Sequence, residues 1–220
     1  MKKKVLVFLA IASCVGIVGC GKNKAEIIPS DSVTTSNDVT QNENASAENN
    51  DNNSQVDLML DGFISGEVEA IRLESQDEFF ISSLNMNPEE WDSFSIGEKV
   101  DLDNDGENEL VINGPYGGMF LDVLNEQIVV FAEGEGTAME LSYVYYDMAY
   151  WIVISDTTHA GRQMYTFTKY SGSDNVVDTF ELNAEYWEQD EYDENSEFTY
   201  RGESISMQQY EELYDDIFGQ

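Results

Sequence analysis

The sequence predicts a mainly β domain, α+β only at its periphery, built as an antiparallel meander or sandwich-like sheet with a C-terminal amphipathic helix. All 3 Trp, all 12 Tyr and 10 of the 11 Phe lie in residues 56–220. Within that region, short runs of aromatic and β-branched residues alternate with turn formers, which is the pattern of strands. Several joins between runs are only a few residues long. Such joins favour antiparallel neighbours, because a parallel pair needs a crossover of about a dozen residues or more.

In chain order the strand-like runs are 78–82, 109–113, 119–124, 127–132, 141–146, 150–155, 163–170, 176–182 and 197–200. Asn125-Glu126, residues 147–149 and residues 171–175 read as hairpin joins. A short helix is expected over 57–64, ended by Gly66, and another over 88–91. The strongest helical signal is ISMQQYEELYDDIF at the C-terminus. Ser206 followed three residues later by Gln209 forms a capping-box pattern, and Ile205 with Tyr210 fits a hydrophobic staple. Met207, Tyr210, Leu213, Tyr214, Ile217 and Phe218 share one helical face, which is expected to dock on the sheet.

The chain begins with Lys2, Lys3 and Lys4, followed by an apolar stretch from Val5 to Val18. That stretch has the length of a signal-peptide core and is short of the ~20 residues of a membrane span. It ends in Ile17-Val18-Gly19-Cys20, which resembles the lipobox of bacterial lipoproteins. The resemblance implies a signal peptide over 1–19, cleavage before Cys20, a diacylglyceryl group on its sulfur, and a domain held at the extracytoplasmic face of the cell membrane. Eight of residues 21–55 are Asn and none is aromatic, so 20–55 reads as a disordered tether and 56–220 as one globular domain. The only cysteines are Cys14 and Cys20, which leaves no disulfide, thiolate metal site or cysteine nucleophile in the domain.

With 44 acidic and 10 basic residues the formal net charge is −34. Such a field repels nucleic acid and anionic lipid headgroups and attracts cations. Nucleic-acid binding is therefore not expected, and attachment to the membrane falls to the lipid on Cys20.

Residues 101–112 read DLDNDGENELVI. Asp101, Asp103 and Asp105 occupy positions 1, 3 and 5 of a calcium-loop pattern, and Gly106 stands where a sharp turn needs positive φ. Glu107 would offer its backbone carbonyl at position 7, and Glu109 its carboxylate at position 9. Hard oxygen donors of this kind suit Ca²⁺ rather than softer metals, so a structural calcium ion is expected. A solvated acidic turn that binds nothing is the competing reading. An EF-hand would carry a bidentate Glu at position 12 and open into a helix, whereas position 12 is Ile112 and Glu109-Leu110-Val111-Ile112 reads as a strand. The loop instead resembles the strand-linked D-x-D-x-D-G-x-x-[DE] loops of integrin-type propellers and FG-GAP repeats. One copy in a domain of this size does not imply a propeller. Taken with the signal, the tether and the final helix, the chain resembles uncharacterised lipoproteins of Gram-positive bacteria, which implies an address and an architecture but no activity.

The only histidine, His159, sits in SDTTHAGR. Asp156, Thr158, His159 and Arg162 form a candidate pocket for an anionic or sugar ligand. The competing reading is a hairpin loop with satisfied hydrogen bonds. No motif supplies a nucleophile for a Ser–His–Asp set, so no catalytic residue is assigned. The sequence thus favours a lipid-anchored binding or interaction module with a structural calcium loop, its ligand an envelope protein or glycan. The alternative is an envelope hydrolase acting on glycan or peptide.

Overall fold

A computed structural model describes residues 44–73, 75–187 and 189–219, with side chains from residue 55 onward. The signal peptide, Cys20 and the expected tether as far as residue 43 lie outside the described residues.

Among the described residues twelve strands form two six-stranded sheets. The first comprises β1 (Ala70–Arg72), β2 (Glu78–Phe79), β3 (Ser95–Val100), β4 (Glu109–Asn113), β5 (Met119–Leu124) and β6 (Gln127–Glu133), in spatial order β2-β1-β6-β5-β4-β3. The second comprises β7 (Glu140–Tyr146), β8 (Ala149–Asp156), β9 (Arg162–Tyr170), β10 (Val176–Glu185), β11 (Glu197–Tyr200) and β12 (Glu203–Ile205), and each strand pairs with its sequence neighbour. All pairs are antiparallel except β1 with β6, which run parallel with Ala70 opposite Ile128. The intervening four strands supply the long connection a parallel pair requires.

Three hairpins close with two residues, both at positive φ: Asn125 (52°) and Glu126 (63°), Asp147 (50°) and Met148 (60°), Arg201 (53°) and Gly202 (78°). Turns of this kind match the right-handed twist of the flanking strands. The expected join over 147–149 is one residue shorter, because Ala149 pairs with Tyr146.

Alternation along the strands sorts side chains into layers. Leu110, Ile112, Met119 and Leu121 pack against Leu60 and Phe63 of α1 (Asn44–Ser65). Val111 and Phe120, on the opposite face, meet Leu141 and Ile152 of the second sheet. Trp151, Val153, Phe167 and Phe180 then face away from the first sheet and pack with Tyr210 and Ile217 of α2 (Met207–Phe218). The order is therefore helix, sheet, sheet, helix. At the head of α2, Ser206 accepts from the Gln209 amide at 3.3 Å and the Gln209 side chain accepts from the Ser206 amide at 2.9 Å, forming the expected capping box.

Local differences from the sequence reading have physical causes. Helix α1 begins at Asn44, inside the segment read as a tether. Once Leu60 and Phe63 anchor its C-terminal half, each added turn needs no new nucleation. Helix 88–91 does not form; instead Asn87 Oδ1 accepts from the Glu89 amide at 3.2 Å and the Asn87 carbonyl from the Glu90 amide at 3.1 Å, while Trp91 stays 82 % exposed. A side chain bonding its own backbone competes with helix, and no apolar face offsets it. In 78–82 the strand stops at Phe79 and a 3₁₀ turn spans Ile81–Ser83.

Candidate metal centre

The acidic loop connects β3 to β4, with Val100 paired to Glu109 at its base. Asn104 (φ 63°) and Gly106 (φ 96°) take the left-handed conformations that curl it. Asp101 Oδ1 and Asp103 Oδ1 share the Asp105 amide at 3.1 and 3.2 Å. Glu109 Oε2 accepts from the amides of Leu102 (2.5 Å) and Asp103 (3.1 Å). One carboxylate oxygen from each of Asp101, Asp103 and Glu109 lies within 4.8 Å of the other two. A single ion bonded at about 2.3–2.6 Å to each can bridge that spread.

Asp103 and Glu109 are fully buried, and Asp103 Oδ2 and Glu109 Oε1 have no hydrogen-bond partner. A buried, unpartnered carboxylate oxygen is costly unless a cation meets it. Burial pushes the Asp103 carboxyl up to about 7, helped by the charges of Asp105 and Asp122. Burial, then the Asp103 charge, pushes Glu109 up to about 9. The loop thus holds carboxylates in a geometry that disfavours their own ionisation. It could hold a metal ion, and its all-carboxylate donor set selects hard cations.

Of the five expected ligands, Asp101, Asp103 and Glu109 converge. Asp105 does not join that group; its Oδ1 accepts from the Glu107 amide at 2.8 Å. Burial raises the Glu107 carboxyl, as do the charges of Asp105 and Asp122. Asp122 on β5 is a buried acid that sequence reasoning missed. Its carboxylate accepts from the Ser173 hydroxyl and the Val123 amide, and burial raises its pKa. An acid flanked by Leu121 and Val123 in a strand was the available signal.

The loop is also tied to the second sheet. Asn104 Nδ2 donates to the carbonyls of Tyr150 (3.1 Å) and Tyr170 (3.2 Å), and its Oδ1 accepts from the Tyr150 amide at 2.8 Å. The Gly172 amide donates to the Asp103 carbonyl at 3.2 Å.

The second candidate cluster folds on itself. Asp156, at the end of β8, receives His159 Nδ1 at 2.8 Å and Arg162 Nε at 2.7 Å, and Arg162 Nη2 also contacts it. Burial pushes the Asp156 carboxyl up, but its bonds to His159 and Arg162 outweigh that and hold it below the usual range. The Arg162 guanidinium lies over Trp187, 5.7 Å from the ring centre. Thr158 does not join the group; its hydroxyl donates to the Thr137 carbonyl at 2.8 Å. Both basic groups are engaged on a single carboxylate, an arrangement that braces a loop.

No protein-family model, curated protein or solved structure matches the chain. Among the described residues no helix is long and apolar enough to cross a membrane.

Proposed function

We propose that the protein is a lipid-anchored binding module of the cell envelope whose β domain is braced by one structural calcium ion. Its ligand would be an envelope component, and Cys20 would carry the lipid at the extracytoplasmic face. One observation supports the cation above all: Asp103 Oδ2 and Glu109 Oε1 are buried without partners beside Asp101. Calcium fits because the donors are oxygens only and this ion tolerates irregular coordination geometry. Glu107 would supply its carbonyl, and Asp105 a carboxylate turned from its present bond to the Glu107 amide. The role is structural, since the loop joins both sheets through Asn104 and Gly172.

The test is calorimetric titration of calcium into metal-free protein, paired with thermal melting in calcium and in EGTA. At a calcium concentration about 100 times Kd the ion adds about 2.7 kcal/mol of stability. No heat of binding and coincident melts would exclude the ion. Mass spectrometry of protein from the producing cells, showing an unmodified N-terminus or free Cys20 thiol, would exclude the anchor.

A further inference from the structure

Between the two sheets lies a groove of about 570 Å³ lined by residues of β1, β6, β8 and β9, of the turn after β1 and of the turn before β7. That volume falls in the roughly 300–1,000 Å³ range of small-molecule sites. Phe131, Ile152 and Ile154 give it an apolar lining, and Thr168 and Tyr170 add hydroxyls. Met139 is 43 % exposed at the groove, and its flexible thioether can fit ligands of different outline.

The charges lining the groove select the ligand. Among the described residues of the lining Arg72 is the sole basic one, and its Nε and Nη2 are bonded to Glu133 at 2.8 and 3.0 Å. That pair is internally neutral, so an anion entering the groove meets no uncommitted countercharge. Among the same described residues Glu135 is the remaining carboxylate and is exposed. A neutral apolar ligand would strip water from Glu135 without replacing it, which costs free energy. A ligand with a cationic group replaces that water with an ion pair.

We propose that this groove binds a small organic cation with an apolar body. The hydrocarbon packs on Phe131, Ile152 and Ile154, and the ammonium pairs with the Glu135 carboxylate. The inference rests on the reading of the domain as a binding module and names the ligand class; it does not require the calcium ion.

Phenethylammonium, phenethyl alcohol and hydrocinnamate present one aromatic body with a positive, neutral or negative end. Each is titrated into the full domain by calorimetry with calcium present, at high ionic strength, where long-range attraction to the acidic surface is screened. Phenethylammonium should bind, the alcohol more weakly, and hydrocinnamate not at all. Glu135→Gln should weaken phenethylammonium by up to about fivefold, the worth of one partly exposed ion pair. Met139→Arg, which puts a guanidinium at the groove, should abolish its binding. Glu135 and Met139 are both exposed, so the variants should fold, and unchanged far-ultraviolet dichroism and calcium titration check this on the same samples. Equal affinity for amine and alcohol, no binding of the amine, or binding untouched by Met139→Arg would overturn the proposal while leaving the calcium reading intact.

Discussion

At the scale of single residues, Asp103 and Glu109 should set how the loop responds to acid and to the proposed calcium ion. Their carboxyls are raised to about 7 and about 9, above the ordinary values near 4 of an unfolded chain. Between those limits the metal-free folded state holds protons that the unfolded state has released. Stability therefore falls as pH rises through that window. Metal-free protein should melt at a lower temperature at about pH 9 than at about pH 5, and calcium bound as proposed should shrink or reverse the difference, because a metal ion takes carboxylates in their deprotonated form. Melting curves across that range, with EGTA or with calcium, check this; flat metal-free curves would count against it. Asp103→Asn separates repulsion from coordination: it should raise the metal-free melting temperature by relieving like charges and remove most of the calcium increment. Much of this site was legible in the spacing of Asp101, Asp103 and Glu109, since alternate residues of a curled loop converge. The place of Asp122 beside them was not, because strand pairing of β5 with β4 brings it there, although its apolar neighbours Leu121 and Val123 marked it as a buried acid. The turn of Asp105 toward the Glu107 amide was not legible either, because a local hydrogen bond decides it.

At the scale of elements, the runs that could be read were those with a full face to bury. Both β4 and β5 occupy the expected bounds, since their residues feed either the α1 layer or the intersheet layer. The strands that were missed have little of their own to bury. β3 is mostly exposed or half-buried and bulges near Gly97. β12 has three residues, and β1 exists by parallel pairing with β6, which no local pattern announces. The helices divide similarly. The capping box of α2 was plain in the sequence, and Ser206→Ala should cost about 1 kcal/mol, read from chemical denaturation with unchanged m-value. Helix α1 depends instead on tertiary contact: Phe63 is fully buried and meets Phe79 edge-on at 5.8 Å. Phe63→Ala should cost about 3–5 kcal/mol, and a loss below about 1 kcal/mol would show that α1 contributes little to the core.

At the scale of the whole molecule, the loop of the candidate cation site is bonded across the contact between sheets. Asp103 and Glu109 belong to the first sheet's β3–β4 connection, yet Asn104, between Asp103 and Asp105, bonds three backbone groups of β8 and β9. Ser173 meets Asp122 and Gly172 meets Asp103 just beyond β9. Across the same seam Gly117 (φ 94°) approaches β7 so closely that an added Cβ would lie 1.8 Å from the Leu141 carbonyl oxygen. A cation that fixes the loop should therefore steady the second sheet as well as the first. Calcium should slow amide exchange at Tyr150 and around Tyr170, not only within 101–109. Asn104→Gly tests the link, because glycine keeps the left-handed backbone while deleting the three bonds. It should cost about 1–3 kcal/mol by leaving part-buried backbone groups unpaired. It should also confine the calcium-induced protection to the loop. If protection of Tyr150 and Tyr170 still tracks calcium in that variant, the coupling runs through general packing of Leu102, Val111 and Ile152 rather than through Asn104.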